Sequence, residues 1–362
     1  MENHRANIDH GVRTAIVGSY PKPRYVYNQP SHHLLLDAGS FYDFQRQIGP
    51  ERFKKRLDRA ALMAVEDQQK AGIDYYSDGE ERRDHYIWYI MRHLRGVDFR
   101  KLTSKAIRNG RYLRDVPTVV EKIEHKGPFL VKDFEFIQRH AGTEGTVKMT
   151  LPGPITVADT VADEVYHGSM EALASGYADT IRREIGNLID AGCRAIQIDD
   201  PVLLRYPEQA RDWGIEVLQR CFSGYEKKAT WFVHICRGYP DKTNEQKGIE
   251  YKANQDSYSQ ILEWLSTSHI DVISIEGAQG DLDLSVLPAA GEKTVMLGVL
   301  DVGNNDVEGV SDLVQRGTEA LRYVPKERLI LAPDCGMFQL SRRSARRKLA
   351  NMAKAASILN QS

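Results

Sequence analysis

Short runs rich in β-branched and aromatic residues recur along the chain, each ending in polar, glycine or proline residues. Eight are found: RTAIVGSYP (13–21), IDYYSDGEE (73–81), TVKMTLPGP (146–154), RAIQIDDP (194–201), TWFVHIC (230–236), DVISIEG (271–277), TVMLGVLD (294–301) and RLILAPDCG (328–336). Between them, stretches such as FKKRLDRAALMAVEDQQKAG (53–72) and YADTIRREIGNLIDAGC (177–193) repeat apolar residues at three- and four-residue spacing, the period of a helix. Strands alternating with helices predict a parallel sheet, and eight such units predict a closed (β/α)8 TIM barrel. A doubly wound open sheet is the alternative. It is disfavoured because GSYPKP (18–23), not a glycine-rich dinucleotide fingerprint, follows the first strand.

Two stretches are longer than a βα unit needs. Residues 22–50 predict a long first βα loop. Residues 98–145 contain TVVEKIEH and FLVKDFEFI around a Lys-Gly-Pro turn, which predicts an inserted hairpin before strand three. Either could cover the barrel mouth or join copies in a homo-oligomer. The expectation is one catalytic domain over 1–362.

Composition narrows the function. With 362 residues, 41% of them hydrophobic, the chain can bury a large core. Lys and Arg number 49 against 50 Asp and Glu, a net charge of −1, so no global field recruits nucleic acid or an anionic membrane. The expected partner is a small molecule. Neither a signal-peptide core nor a membrane-length apolar run is found, which predicts a cytoplasmic protein. Cys193, Cys221, Cys236 and Cys335 are too dispersed for a disulfide framework and suggest buried or metal-bound thiols.

Chemistry in such a barrel sits at the C-terminal strand ends. Those ends carry Ser19, Asp78, Glu80, Asp199, Asp200, His234, Cys236, Glu276, Asp301, Asp334 and Cys335. His234 and Cys236, two apart, leave one face of a strand. Alone, such a pair more often means a core histidine and a buried thiol. Glu276 and Cys335 end strands six and eight, so the fold would gather His234, Cys236, Glu276 and Cys335, a donor set suited to Zn²⁺. Cys193, ahead of strand four, and Cys221, in a helical run, read as space-filling.

Together GSYP, SDGEERRD, LPGP, IDDP, VHIC, SIEG and PDCG resemble the catalytic domain of cobalamin-independent methionine synthase, over essentially the whole chain. The resemblance implies a zinc-dependent methyltransferase barrel that activates homocysteine as a zinc thiolate and methylates it to methionine, with a methyltetrahydropteroyltriglutamate donor. It implies His234, Cys236, Glu276 and Cys335 as metal ligands and Ser19, Glu80 and Asp199 as amino-acid contacts. Asp301 stands as the catalytic candidate after strand seven. Asp78, Asp84 and Asp200 read as structural, and Arg82 and Arg83 are at hand to pair with nearby carboxylates.

Departures from the family pattern leave the donor open. Thr160 falls near the place of the folate-stacking tryptophan, and Gly303 replaces the histidine expected to protonate the leaving group. Folate-using members also carry a further N-terminal domain, which is not expected here. His85 or Tyr86 could replace the acid, and Arg342 or Arg343, after a Ser341 cap, could meet a substrate anion. The alternatives are an alkyltransferase joining another thiol to a non-folate electrophile such as an epoxide, a methyltransferase served by a corrinoid donor protein, or a non-catalytic zinc barrel.

Overall fold

The computed structural model describes residues 11–26, 38–142, 145–239 and 252–361. Its strands, in chain order, are β1 (Arg13–Thr14), β2 (Tyr75–Tyr76), β3 (Leu94–Ile107), β4 (Tyr112–His125), β5 (Thr146–Pro152), β6 (Ala162–Asp163), β7 (Ala195–Asp199), β8 (Thr230–Ile235), β9 (Val272–Ile275), β10 (Thr294–Leu300) and β11 (Leu329–Pro333). Eight of them form one sheet in the order β1-β11-β10-β9-β8-β7-β5-β2, every pair parallel. A parallel bridge between Ala15 and Tyr75 joins its two ends. This is the predicted (β/α)8 TIM barrel.

The strand sequences explain the closure. β7, β9 and β11 are buried at every position, as strands covered on both faces must be. Inward residues Ala15, Val17, Tyr75, Ala195, Phe232, Val272, Met296, Ile330 and Ala332 fill the lower barrel as a cluster of their own. Outside, the helix Pro50–Lys70 presents Phe53, Ala60, Ala61, Ala64 and Val65, and Met170–Asp190 presents Leu173, Tyr177, Ile181 and Ile185. Among the described residues no helix is long and apolar enough to cross a membrane.

The insertion differs from expectation. A hairpin is present, but its arms are β3 and β4, antiparallel, with β6 added alongside β4. FLVKDFEFI is instead the start of the helix Val131–His140, because Leu130, Phe134 and Ile137 bury one face at spacings of four and three. Arg108, Asn109 and Gly110 all have positive φ and make the hairpin turn. Of the long first loop, residues 27–37 lie outside the described residues, and Ala38–Ile48 is a helix.

Candidate metal and substrate site

At the C-terminal mouth, the parallel register sets Asp199 beside His234, and β9 and β11 end nearby. His234, Cys236 and Cys335 are buried, and one ligand atom from each lies within 4.8 Å of the others. The two sulfurs are 3.5 Å apart. His234 Nδ1 meets Ser274 Oγ at 2.8 Å, which fixes the ring, while buried Nε2 has no hydrogen-bond partner. An orphaned imidazole nitrogen facing two thiols fits a soft tetrahedral cation such as Zn²⁺. The contact with Cys335, against burial and with help from His234, holds the Cys236 thiol low, while the same contact and burial push Cys335 up.

Glu276, the expected fourth ligand, has partners of its own. It is not in the cluster; Oε2 accepts from Lys252 Nζ at 2.6 Å and Oε1 from the Arg237 backbone N–H at 2.9 Å. Burial pushes its carboxyl up to about 8, with Lys252 opposing. Lys252 lies outside every strand-end motif, so nothing in the sequence marked it as a partner.

The three expected amino-acid contacts share one cavity of about 1230 Å³ with His234, Cys236 and Cys335. Glu80, at φ 55°, accepts from Thr150 Oγ1 at 2.5 Å and from Arg83 at 3.1 Å, so the pairing arginine is present as well. Asp199 accepts from Gln197 Nε2 at 2.6 Å, and burial pushes it up to about 7 although His234 opposes this. Ser19 Oγ and the Tyr239 hydroxyl flank Gly336, where a Cβ would collide with both. Met337 N–H donates to Ser19 O at 2.8 Å, tying the first loop to the last. Tyr239 and Thr150 were missed in the sequence because neither stands in a charged motif.

The other candidates have structural partners. Asp301 does not line the cavity; its carboxylate accepts from Gln279, Asn304 and the Gly303 N–H and so holds its own loop. Asp200 caps the helix Pro154–Thr160 through Ile155, Thr156 N–H and Thr156 Oγ1, and Asp84 pairs with Arg92 at 3.3 Å. Asp334 holds the backbone N–H groups of Gly277, Ala278 and Gln279, and Asp78 accepts from Glu80 N–H. Ser341 Oγ accepts from Ser344 N–H as a cap, while Arg342 pairs with Asp67 and Arg343 is exposed. Cys193 and Cys221 are buried outside the cluster, and burial pushes Cys193 up to about 12.

His85 and Tyr86, the candidates for the missing acid, do line the cavity. Burial, with Arg108 and Arg92, lowers His85 to about 3, and burial pushes the Tyr86 hydroxyl far up. The hairpin also lines the cavity, with Ile107, Arg108, Leu113, Arg114 and Val116. Arg108 latches it through Asp159 at 3.0 Å and the Tyr86 hydroxyl at 3.3 Å. Thr160 also faces this chamber, its hydroxyl donated to Thr156 O.

Residues 12–358 match the family model described as cobalamin-independent synthase, catalytic domain. The methionine synthase of Saccharolobus solfataricus is 29% identical over 350 residues, 96% of this chain and 95% of the relative. That of Pyrococcus abyssi is 26% identical over 349 residues, covering 96% and 93%. A solved B12-independent methionine synthase from Shewanella sp. W3-18-1, in complex with selenomethionine, superposes with a TM-score of 0.87 at 31% identity, covering 97% and 98%.

Proposed function

Since this chain belongs to the family of cobalamin-independent synthase catalytic domains, we propose that it transfers a methyl group to the thiol of homocysteine, giving methionine. The observation that carries the reading is the buried His234, Cys236 and Cys335 cluster, with an orphaned His234 Nε2, on the same cavity as Ser19, Glu80 and Asp199. The Shewanella relative's selenomethionine is of the class this reaction would release. Zn²⁺ held by His234, Cys236 and Cys335 would supply a Lewis acid that keeps an incoming thiol deprotonated near neutral pH.

The chain's own residues do the rest. Ser274 locks the His234 ring so that Nε2 faces the sulfurs. Glu80 and Asp199 take the substrate ammonium, whose arrival restores full charge on Asp199 against the burial that resists it. Ser19 takes the carboxylate, and the cavity holds thiol and donor at once. The sulfur lone pair forms the bond to the methyl carbon as the donor's bond breaks; the donor keeps that electron pair, and the thiol proton has already left. Glu276 is proposed as a ligand secondary to the other three, because Lys252 holds its carboxylate.

The second reading changes the donor. Thr160 offers no flat stacking surface, its hydroxyl is bonded within its own helix, and Gly303 carries no acid, so a non-folate methyl or alkyl donor, including a corrinoid protein, is favoured over a pterin. The test holds homocysteine fixed and compares methyltetrahydrofolate, its polyglutamate and methylcobalamin, with zinc measured in the purified protein and in Cys236→Ser and Cys335→Ser. Methionine from at least one donor, with zinc lost in both variants, is expected. Alkylation of another thiol only, or wild-type protein without zinc, overturns the reading.

A further inference from the structure

The residues assigned to the amino-acid group rest on a second tier directly below them. On β5, Lys148 precedes Thr150, which holds Glu80; on β7, Gln197 precedes Asp199; and ahead of Ser19 stands Val17. A two-residue step on a strand keeps a side chain on the same face, so Lys148 and Gln197 point inward beneath the site. There they meet. Lys148 Nζ donates to Val17 O at 2.9 Å and to Gln197 Oε1. Gln197 Nε2 donates to Val17 O at 2.8 Å and to Asp199 Oδ1 at 2.6 Å.

Lys148 is fully buried, and its ammonium donates to the Val17 carbonyl and the Gln197 amide rather than to a carboxylate. Burial lowers its ammonium to about 7, while Asp199 and Glu80 act to hold it up. Its neighbours at this level of the barrel include Val17 and the Phe232 ring, 5.2 Å away. Methionine would fill the same space without desolvating a charge. The cation therefore needs a reason beyond packing.

The chemistry of the amide provides one. A lysine ammonium only donates, so it selects the carbonyl end of Gln197, and the amide's NH₂ end is then turned on Asp199. Without the lysine only the Val17 carbonyl would still favour that orientation, and an amide turned the other way presents oxygen to a carboxylate, which repels. We propose that Lys148 is a positioning residue for the substrate's ammonium: through Gln197 it orients Asp199 and keeps it an acceptor. This rests on the proposed binding of an amino-acid thiol at Glu80 and Asp199.

The test compares homocysteine with 4-mercaptobutanoate, which lacks only the amino group, in the wild-type holoenzyme and in Lys148→Met and Gln197→Met, the second kept in case the first fails to fold. The expected result is a KM for homocysteine raised about 10- to 100-fold, the scale of a lost charge-assisted hydrogen bond. KM for 4-mercaptobutanoate should stay within about two-fold, and zinc content should be unchanged. Equal weakening of both thiols, or no change for homocysteine, overturns the positioning role. A wild-type enzyme that does not favour homocysteine over 4-mercaptobutanoate overturns the underlying substrate reading instead, and the inference with it.

Discussion

Gly336 shows how a single residue shapes the candidate site. It is not among the glycines at positive φ, so its backbone would accept other residues; what excludes them is space, since a Cβ would run into Ser19 Oγ and the Tyr239 hydroxyl. Gly336→Ala should therefore displace Ser19 while leaving Cys335 on its own strand end. The expected outcome is a fall of about 10- to 100-fold in kcat/KM for homocysteine with zinc content near that of the parent, because small misplacements of a binding group are costly. Steady-state kinetics with parallel metal analysis checks this. An unchanged KM would remove Ser19 from the substrate contacts. The same residue scale separates what was legible from what was not. His234, Cys236 and Cys335 could be read from strand ends because each strand delivers its last inward side chain to one rim. The engagement of Glu276 could not, since it is decided by Lys252, which no spacing rule links to it.

At the scale of elements, the helix Tyr86–Arg92 starts with a histidine cap. His85 Nδ1 accepts from the N–H groups of Ile87 at 3.3 Å and Trp88 at 3.4 Å, which requires a neutral ring. Burial, Arg108 and Arg92 lower His85 to about 3. Its folded value thus lies below the unfolded value of about 6.5, so the unfolded chain takes up the proton first. The stability from this cap is whole above about pH 6.5 and is lost as pH falls from there toward 3. His85→Asn keeps a capping acceptor that does not titrate. Denaturant melts should show wild type losing about 1–2 kcal/mol relative to the variant between pH 7 and 5. A difference that does not change with pH would mean that folding leaves the proton affinity of His85 as it is in the unfolded chain. The elements also show where pattern reading failed. FLVKDFEFI mixes strand-like composition with a helical burial period, and only the contacts of Leu130, Phe134 and Ile137 decide between them. β3 is half exposed, with no buried face to impose alternation, and of β4 the sequence showed only TVVEKIEH (118–125), its second half.

For the whole molecule, the question is whether the metal would hold the barrel together or only serve it. Between β8, which bears His234, and β11, which precedes Cys335, lie β9 and β10, joined by continuous parallel ladders. The bridge of Ala15 to Tyr75 and the inward cluster below the site complete the ring without any of the metal-site side chains. A structural site, by contrast, holds elements that have no other connection. Chelation should therefore leave the far-UV circular dichroism unchanged and the unfolding cooperative. The melting temperature should fall by several degrees, the effect expected when a ligand bound at about a hundredfold over its dissociation constant, worth about 3 kcal/mol, is removed. Hydrogen exchange should rise around Cys236, Gly277 and Gly336 and remain slow along β5 and β7, whose ladder is independent of the site. Unfolding on chelation would make the metal a structural staple, and the non-catalytic zinc barrel would become the better reading. A folded apoprotein that rebinds zinc, and then takes up a thiol at a position the protein leaves open, is the behaviour that a barrel closed by its own strands should give.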